Sequence, residues 1–228
     1  MTSVLTAFEL IFSGNRELFF TVGTSLTFSF FSTLFAGIFG LLVATIFILG
    51  KFPLRGFMIS LVTSLMAVPT VVVGLVVYSL ISRTGPLGSL GWLFTPYAVV
   101  LGQSIFALPI MISYLWAGFS KLDIRFFETI QTIGCSFPYK FLLVWRENPS
   151  VLVNALLSSF GRVLSEVGIS MMLGGNIRWY TRTMTTAIAL ETTRGEYGYA
   201  LALGILLLLL ALGINALTLR VVQQREAA

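Results

Sequence analysis

Residues 161–176 read GRVLSEVGISMMLGGN, and they set two charges, Arg162 and Glu166, inside a run otherwise apolar enough to be the middle of a membrane-crossing helix. The two are spaced i,i+4, so on a helix they share a face and are expected to pair. Ser158, Gly161, Ser165 and Gly168 lie on or beside that face, which lets another helix approach closely. An unpaired charge at mid-membrane costs about 2.5–3.5 kcal/mol on insertion scales, so this face is expected to meet protein or a water-filled path. Two readings stay open. Either the pair fixes helix packing, or the face lines a path, with Arg162 offering positive potential to an anion and Glu166 holding the arginine or limiting retention of the anion.

Outward from that stretch the chain is of one kind. Of its 228 residues 57% are hydrophobic and 10% charged, a balance foreign to water-soluble domains. Apolar runs of about 20 residues, enough to cross a bilayer, recur along the whole length and leave no room for a soluble domain. Five helical spans are predicted, at residues 18–49, 57–81, 95–119, 150–173 and 198–222. The expected fold class is all-α, a polytopic membrane protein with a single membrane domain over residues 1–228. Pro69 and Pro109 remove amide donors inside the second and third spans, and are the expected places for helices to bend.

Several chemistries are excluded early. One cysteine, Cys135, and no histidine remove disulfide frameworks, zinc sites and Ser-His or Cys-His pairs together, so no metal site is expected. No G-x-x-x-x-G-K-[ST] occurs, so ATP hydrolysis is not expected of this chain and no cofactor is assigned to it. The acidic residues are scattered, with only Glu166 deep in a span, which leaves an intramembrane enzyme a weak third possibility. The net charge of +5 is spread between loops, and no nucleic-acid partner is inferred. Residues 1–17 lack the basic start of a signal peptide and are expected to be retained. Val4, Phe8, Ile11 and Phe12 fall at helical spacing, so this segment is expected either to lie at the membrane surface or to be a frayed tail.

Five crossings put the termini on opposite sides. With the interval 121–149 in the cytoplasm, eight basic residues (Lys51, Arg55, Lys121, Arg125, Lys140, Arg146, Arg220, Arg225) lie inside against five outside (Arg16, Arg83, Arg178, Arg182, Arg194). The N-terminus is then outside and the C-terminus cytoplasmic.

The interval 121–149 is too polar, and too broken by Gly134, Pro138 and Pro149, to cross a membrane. It reads as two short helices. Asp123 caps the first, Phe126, Ile130 and Ile133 make a stripe along one face, and Gly134 stops it. The stripe has to be buried against the protein's own bundle or against a partner.

The spacing from Glu128 to Gly134 also resembles the E-A-A-x-x-x-G coupling-loop motif of ABC importer permeases, with Thr129 and Ile130 in place of the alanines and without the usual I-x-L-P ending. AVPTVVVGLVVYSLISRTGPLG, residues 67–88, resembles the second-helix region of molybdate- and tungstate-type permeases. Residues 161–204 are similar to the tungstate permease subunit, so the chain is identified as a member of the tungstate ABC importer permeases, near the molybdate and sulfate ones.

The resemblance implies a type I ABC importer permease fold, with cytoplasmic coupling helices between spans three and four. It implies a prokaryotic cell (inner) membrane, a homodimer with the path at its two-fold axis, two cytoplasmic ABC ATPases that carry ATP and Mg, and an extracytoplasmic oxyanion-binding protein. ATPase coupling would fall to Asp123, Phe126, Phe127, Glu128, Ile130, Ile133, Gly134 and Pro138. The path or its gate would take Arg162, Ser165, Glu166 and Met172. The outer interval 174–197 would meet the binding protein or take in the anion through Asn176, Arg178, Arg182, Thr183 and Glu191. Its arginines and threonines suit a tetrahedral oxyanion, while a plain solvated loop is the simpler expectation. From another class, a passive channel or scaffold subunit in contact with lipid stays open, and the 121–149 loop discriminates, since a channel needs no ATPase-docking stripe.

Overall fold

Asn15 starts the first long helix by accepting the Glu17 and Leu18 amides on its side-chain oxygen, both at 3.1 Å, and Glu17 adds negative charge to the positive end of the helix dipole. In the computed structural model this helix, α2 (Arg16–Leu49), follows a short α1 (Thr2–Phe12). The structure describes every residue except Met1, Lys51, Asp123, Ile133, Cys135, Ala227 and Ala228.

The described residues form helices and loops without strands: α3 (Arg55–Leu65), α4 (Thr70–Ile81), α5 (Pro96–Phe119), α6 (Ile124–Thr132), α7 (Phe137–Glu147), α8 (Pro149–Leu164), α9 (Gly168–Gly174), α10 (Met184–Arg194) and α11 (Tyr197–Glu226). Three helices, α2, α5 and α11, are long and apolar enough to cross a membrane unbroken. The other two expected spans are broken: α3 and α4 meet at 97°, and α8 and α9 at 63°.

The second span therefore breaks where a bend was expected. Its helix ends at Leu65 and restarts after Pro69, which stands at the N-cap of α4, a position where the missing N–H costs nothing. Pro109, by contrast, lies inside α5, which continues through it. The fourth span departs further from expectation, because residues 165–167 interrupt what was read as one helix.

Packing explains the order of the bundle. Helix α2 runs along α5, with Gly40 lying so close to Met111 that an added Cβ would sit 2.8 Å from its Cγ. Gly118 faces Val151 in the same way across α5 and α8. With no hydrophobic drive between helices in lipid, such close approach of backbones supplies the dispersion contact that holds them. At one end Trp145 of α7 donates to Thr45 at 2.9 Å and lies edge-on to Phe119. At the other end α1 and α10 both pack on α11. Outward faces of α2, α4 and α11 carry Phe, Leu, Ile and Val exposed, as a lipid-facing surface requires.

Helix α1 packs Ala7 against the α11 side of the bundle, with Leu10 and Ile11 half-buried beside it, and exposes Leu5, Phe8 and Phe12. That is an ordered helix rather than a frayed tail.

Candidate functional site

The break in the fourth span is built around Glu166. Ser165 leaves helical geometry, and Glu166 turns its carboxylate onward to accept the Ile169 amide at 2.8 Å and the Ser170 amide at 3.2 Å, satisfying the free donors that open α9. Ser170 Oγ donates to the same carboxylate at 3.3 Å, and the Glu166 backbone carbonyl accepts Thr185 Oγ1 of α10 at 2.7 Å. The residue is 5% exposed. The expected Arg162–Glu166 pair does not form, because the helix that would have aligned them ends at Leu164. Arg162 is exposed near the end of α8, and its guanidinium has no hydrogen bond or ion pair among the described residues. Ser165 is also exposed and returns its hydroxyl to the Gly161 and Arg162 carbonyls.

Helix α9 is clasped between two neighbours by glycines. An added Cβ on Gly102 of α5 would lie 2.3 Å from Leu173 Cδ1 and 2.6 Å from Ile169 Cγ2. An added Cβ on Gly74 of α4 would lie 3.1 Å from Met172 Sδ, which places that half-buried methionine at the α4–α9 crossing. Gly168 returns the contact to Thr70 and Val71.

The outer interval is not a plain solvated loop. Thr181, Thr183, Thr185 and Thr186 are buried, and Thr183 caps α10 in a reciprocal box with Thr186. Asn176, at a left-handed φ of +51°, accepts Thr186 Oγ1 at 3.0 Å. Arg182, 8% exposed, lies 3.5 Å from both Glu17 and Glu191. Arg194 also reaches Glu191, at 3.4 Å. Arg178 makes a two-pronged pair with Glu17, its Nε donating to Oε1 at 2.6 Å, and the hydrogen bond and charge of Glu17 raise the arginine's pKa above its ordinary value. Arg178, Arg182 and Arg194 are thus paired with Glu17 and Glu191 in one cluster that joins α2, α10 and the loop between α9 and α10, beside which Thr183 bonds Thr185 and Thr186.

At the opposite end, α6 and α7 fill the 121–149 interval. Asp123 and Ile133, and the side chains of Phe126 and Phe127, lie outside the described residues. Ile130 is buried with Ala44, Leu115, Phe119 and Trp145, so that part of the stripe packs on the protein's own bundle. Glu128 is exposed, Gly134 ends the segment at φ +63°, and Pro138 sits exposed in the first turn of α7. Helix α7 leaves Phe137, Tyr139 and Leu142 exposed while Val144 and Trp145 are buried. None of the three was among the residues expected to couple to an ATPase, although the second short helix of the interval, around Tyr139 to Arg146, reads in sequence as aromatic and basic.

These features define a class. Chains of a bacterial alginate ABC transporter share the fold: one, solved with an alginate pentasaccharide-bound periplasmic protein, gives a TM-score of 0.69 at 18% identity over 92% of this chain and 81% of that one. Another, from a transporter importing alginate, gives 0.67 at 19% over 94% and 82%. The architecture is that of an ABC transporter permease. In sequence, the chain is 41% identical to the tungstate uptake permease TupB of Campylobacter jejuni over 74% of this chain and 70% of that protein. It is 32% identical to TupB of Peptoclostridium acidaminophilum over 92% of each chain, and 42% identical to a probable anion ABC transporter permease of Haloferax volcanii over 71% and 72%. No family model matches the sequence. The chain belongs to the ABC importer permease family that includes the tungstate uptake permeases, a multi-pass membrane family.

Proposed function

We propose that this chain is the membrane-spanning subunit of a binding-protein-dependent importer that carries an oxyanion into the cytoplasm, with tungstate the first candidate and molybdate or sulfate the alternatives. Kinship to tungstate uptake permeases along most of the chain carries this reading. More distant likeness to a sulfate and a molybdenum permease, at 29% and 25% identity, keeps the substrate within oxyanions.

The geometry supports a division of labour. Arg162 is a cation exposed in a broken apolar span with no carboxylate paired to it among the described residues, which is how a site that must attract and then release an anion differs from a structural ion pair. A homodimer gives that face a wall other than lipid, with Ser165, Glu166 and Met172 beside the path. The cluster of Arg178, Arg182, Thr183, Glu191 and Asn176 lies at the end we assign to the outside, where it sets the surface that meets a loaded binding protein. Phe137, Tyr139 and Leu142 on α7, with α6 around Glu128 to Gly134, meet the ATPase subunits in the cytoplasm. ATP and Mg belong to those partners. Closing of the ATPases, transmitted through α6 and α7, turns the spans between outward- and inward-open states. The orientation follows the basic residues, with the N-terminus outside and the C-terminus inside.

Co-purification tests this assignment. The wild-type chain is expected to bring down a cytoplasmic ATPase, and Leu142→Asp or Glu128→Arg to release it while the membrane part still folds. Retention of the ATPase by both variants would remove α6 and α7 from the interface, and a native chain that never carries an ATPase would favour a channel or scaffold.

A further inference from the structure

Gln103 stands in the apolar middle of α5, 2% exposed and apart from the residues proposed for the path, the coupling surface and the outer cluster. Both ends of its carboxamide are engaged. Oε1 accepts Ser32 Oγ of α2 at 3.0 Å, and Nε2 donates to Ser170 Oγ of α9 at 2.9 Å. Ser170 passes the chain on to the Glu166 carboxylate at 3.3 Å, and the Glu166 carbonyl accepts Thr185 Oγ1 at 2.7 Å. Next to Thr185, the Met184 amide donates to Ser25 Oγ at 2.7 Å. Ser25 and Ser32 are seven residues apart on α2, so the bonds leave and return to one face of one helix. The result is a closed circuit through α2, α5, α9, the residue-166 break and α10.

A circuit of this kind is costly to leave half-made. In a low-dielectric bundle every polar atom that loses its partner stays buried, so the members hold or fail together. Residues 165–167, which connect the circuit to α8, contribute only the Glu166 side chain and carbonyl to it, and Ser165 and Val167 are exposed. We infer that Gln103 is a positioning residue for transport: it holds Glu166 in its capping geometry and ties α2, α5, α9 and α10 together at the break of residues 165–167, the joint that adjoins the Arg162 end of α8. An event at the outer surface around α10 then reaches the face that carries Arg162 through this joint. This inference rests on the importer reading for its functional consequence and on the circuit alone for its mechanical one.

The test uses the whole complex, permease with its ATPases and binding protein, in lipid nanodiscs. Gln103→Leu is expected to lower the ratio of ATP hydrolysis with oxyanion-loaded binding protein to hydrolysis without it by roughly fivefold or more, the scale of a typical coupling between sites. Ser32→Ala is expected to move the ratio the same way by less, and the double variant to be no worse than Gln103→Leu. Spin labels at Val153 of α8 and Thr193 of α10, on a Cys135→Ser background, are expected to give a broadened distance distribution in Gln103→Leu. An unchanged ratio in both single variants with a wild-type distance distribution, or additive effects in the double, overturns the inference. If Gln103→Leu does not assemble, Ser32→Ala decides alone, a wild-type ratio and distribution counting against the circuit. A wild-type complex that loaded binding protein fails to stimulate would count against the importer reading, and the distance measurement would still judge the circuit.

Discussion

Arg162 and Glu166 stand four residues apart and make no ion pair: the glutamate accepts the Ile169 and Ser170 amides at 2.8 and 3.2 Å, and the arginine is exposed without a partner among the described residues. The chain leaves helical geometry between them, and the glutamate finds its compensation in the opening amides of α9 instead of in a guanidinium. The two charges therefore have separate tasks, and substitutions at them should separate too.

Arg162→Met is expected to leave assembly and thermal stability as they are, since no partner is lost, and to cut oxyanion uptake roughly tenfold, the low end of what a focused positive potential contributes to capture of an anion. Arg162→Lys should retain most of the uptake. Uptake into vesicles, read beside the thermal midpoint of the same preparation, is the check. Wild-type uptake in the methionine variant would remove Arg162 from the path.

Glu166→Ala should do the opposite and destabilise first. It leaves buried amides of α9 without acceptors, a loss of about 1–3 kcal/mol. Glu166→Gln keeps one acceptor oxygen and should fall between. A midpoint unchanged in both would mean that the carboxylate is not the cap that the hydrogen bonds indicate.

At Gly102 the prediction is steric. An alanine Cβ would lie 2.6 Å from the branched Ile169 Cγ2 as well as 2.3 Å from Leu173 Cδ1, so Gly102→Ala should destabilise by about 1–3 kcal/mol as an overpacked contact. Gly23→Ala meets nothing within 4 Å and should gain up to about 1 kcal/mol from helix propensity. The two thermal midpoints moving the same way would contradict the packing described for α9.

How much of this was legible in the sequence follows from what kind of force decides each feature. The long spans were readable because α2, α5 and α11 are uniformly apolar, and hydropathy alone fixes where they begin and end to within a few residues. The breaks were not, because the 63° turn between α8 and α9 depends on a side chain capping its own following helix, and an apolar run does not reveal that. The i,i+4 rule failed at residues 162 and 166 for the same reason. The outer threonines read as a wet loop because composition cannot tell a solvated hydroxyl from one bonded inside α10. Gln103 passed unnoticed as a lone polar residue in a span, where its partners Ser32 and Ser170 lie far away in sequence.

The outer arginines make a contrast within one cluster. Arg182, with its side chain 10% exposed, is shared by Glu17 and Glu191, so Arg182→Leu removes the buried cation between them, leaves Glu17 to Arg178 and Glu191 to Arg194, and should cost about 1–3 kcal/mol. Arg178 is paired with Glu17 but 59% exposed, and Arg178→Leu should leave the thermal midpoint close to wild type. Equal losses at the two positions would mean that the pairing does not follow burial.

The role proposed for this chain is inward movement of an oxyanion under the power of a separate ATPase. Its most direct test is tungstate accumulation in sealed proteoliposomes that contain the permease with its ATPase subunits, with ATP supplied on the ATPase side and the binding protein on the other. Tungstate is expected to accumulate against a gradient, and accumulation to stop when either ATP or the loaded binding protein is withheld. Equilibration of tungstate at the same rate without ATP or binding protein would contradict it and make the chain a passive channel.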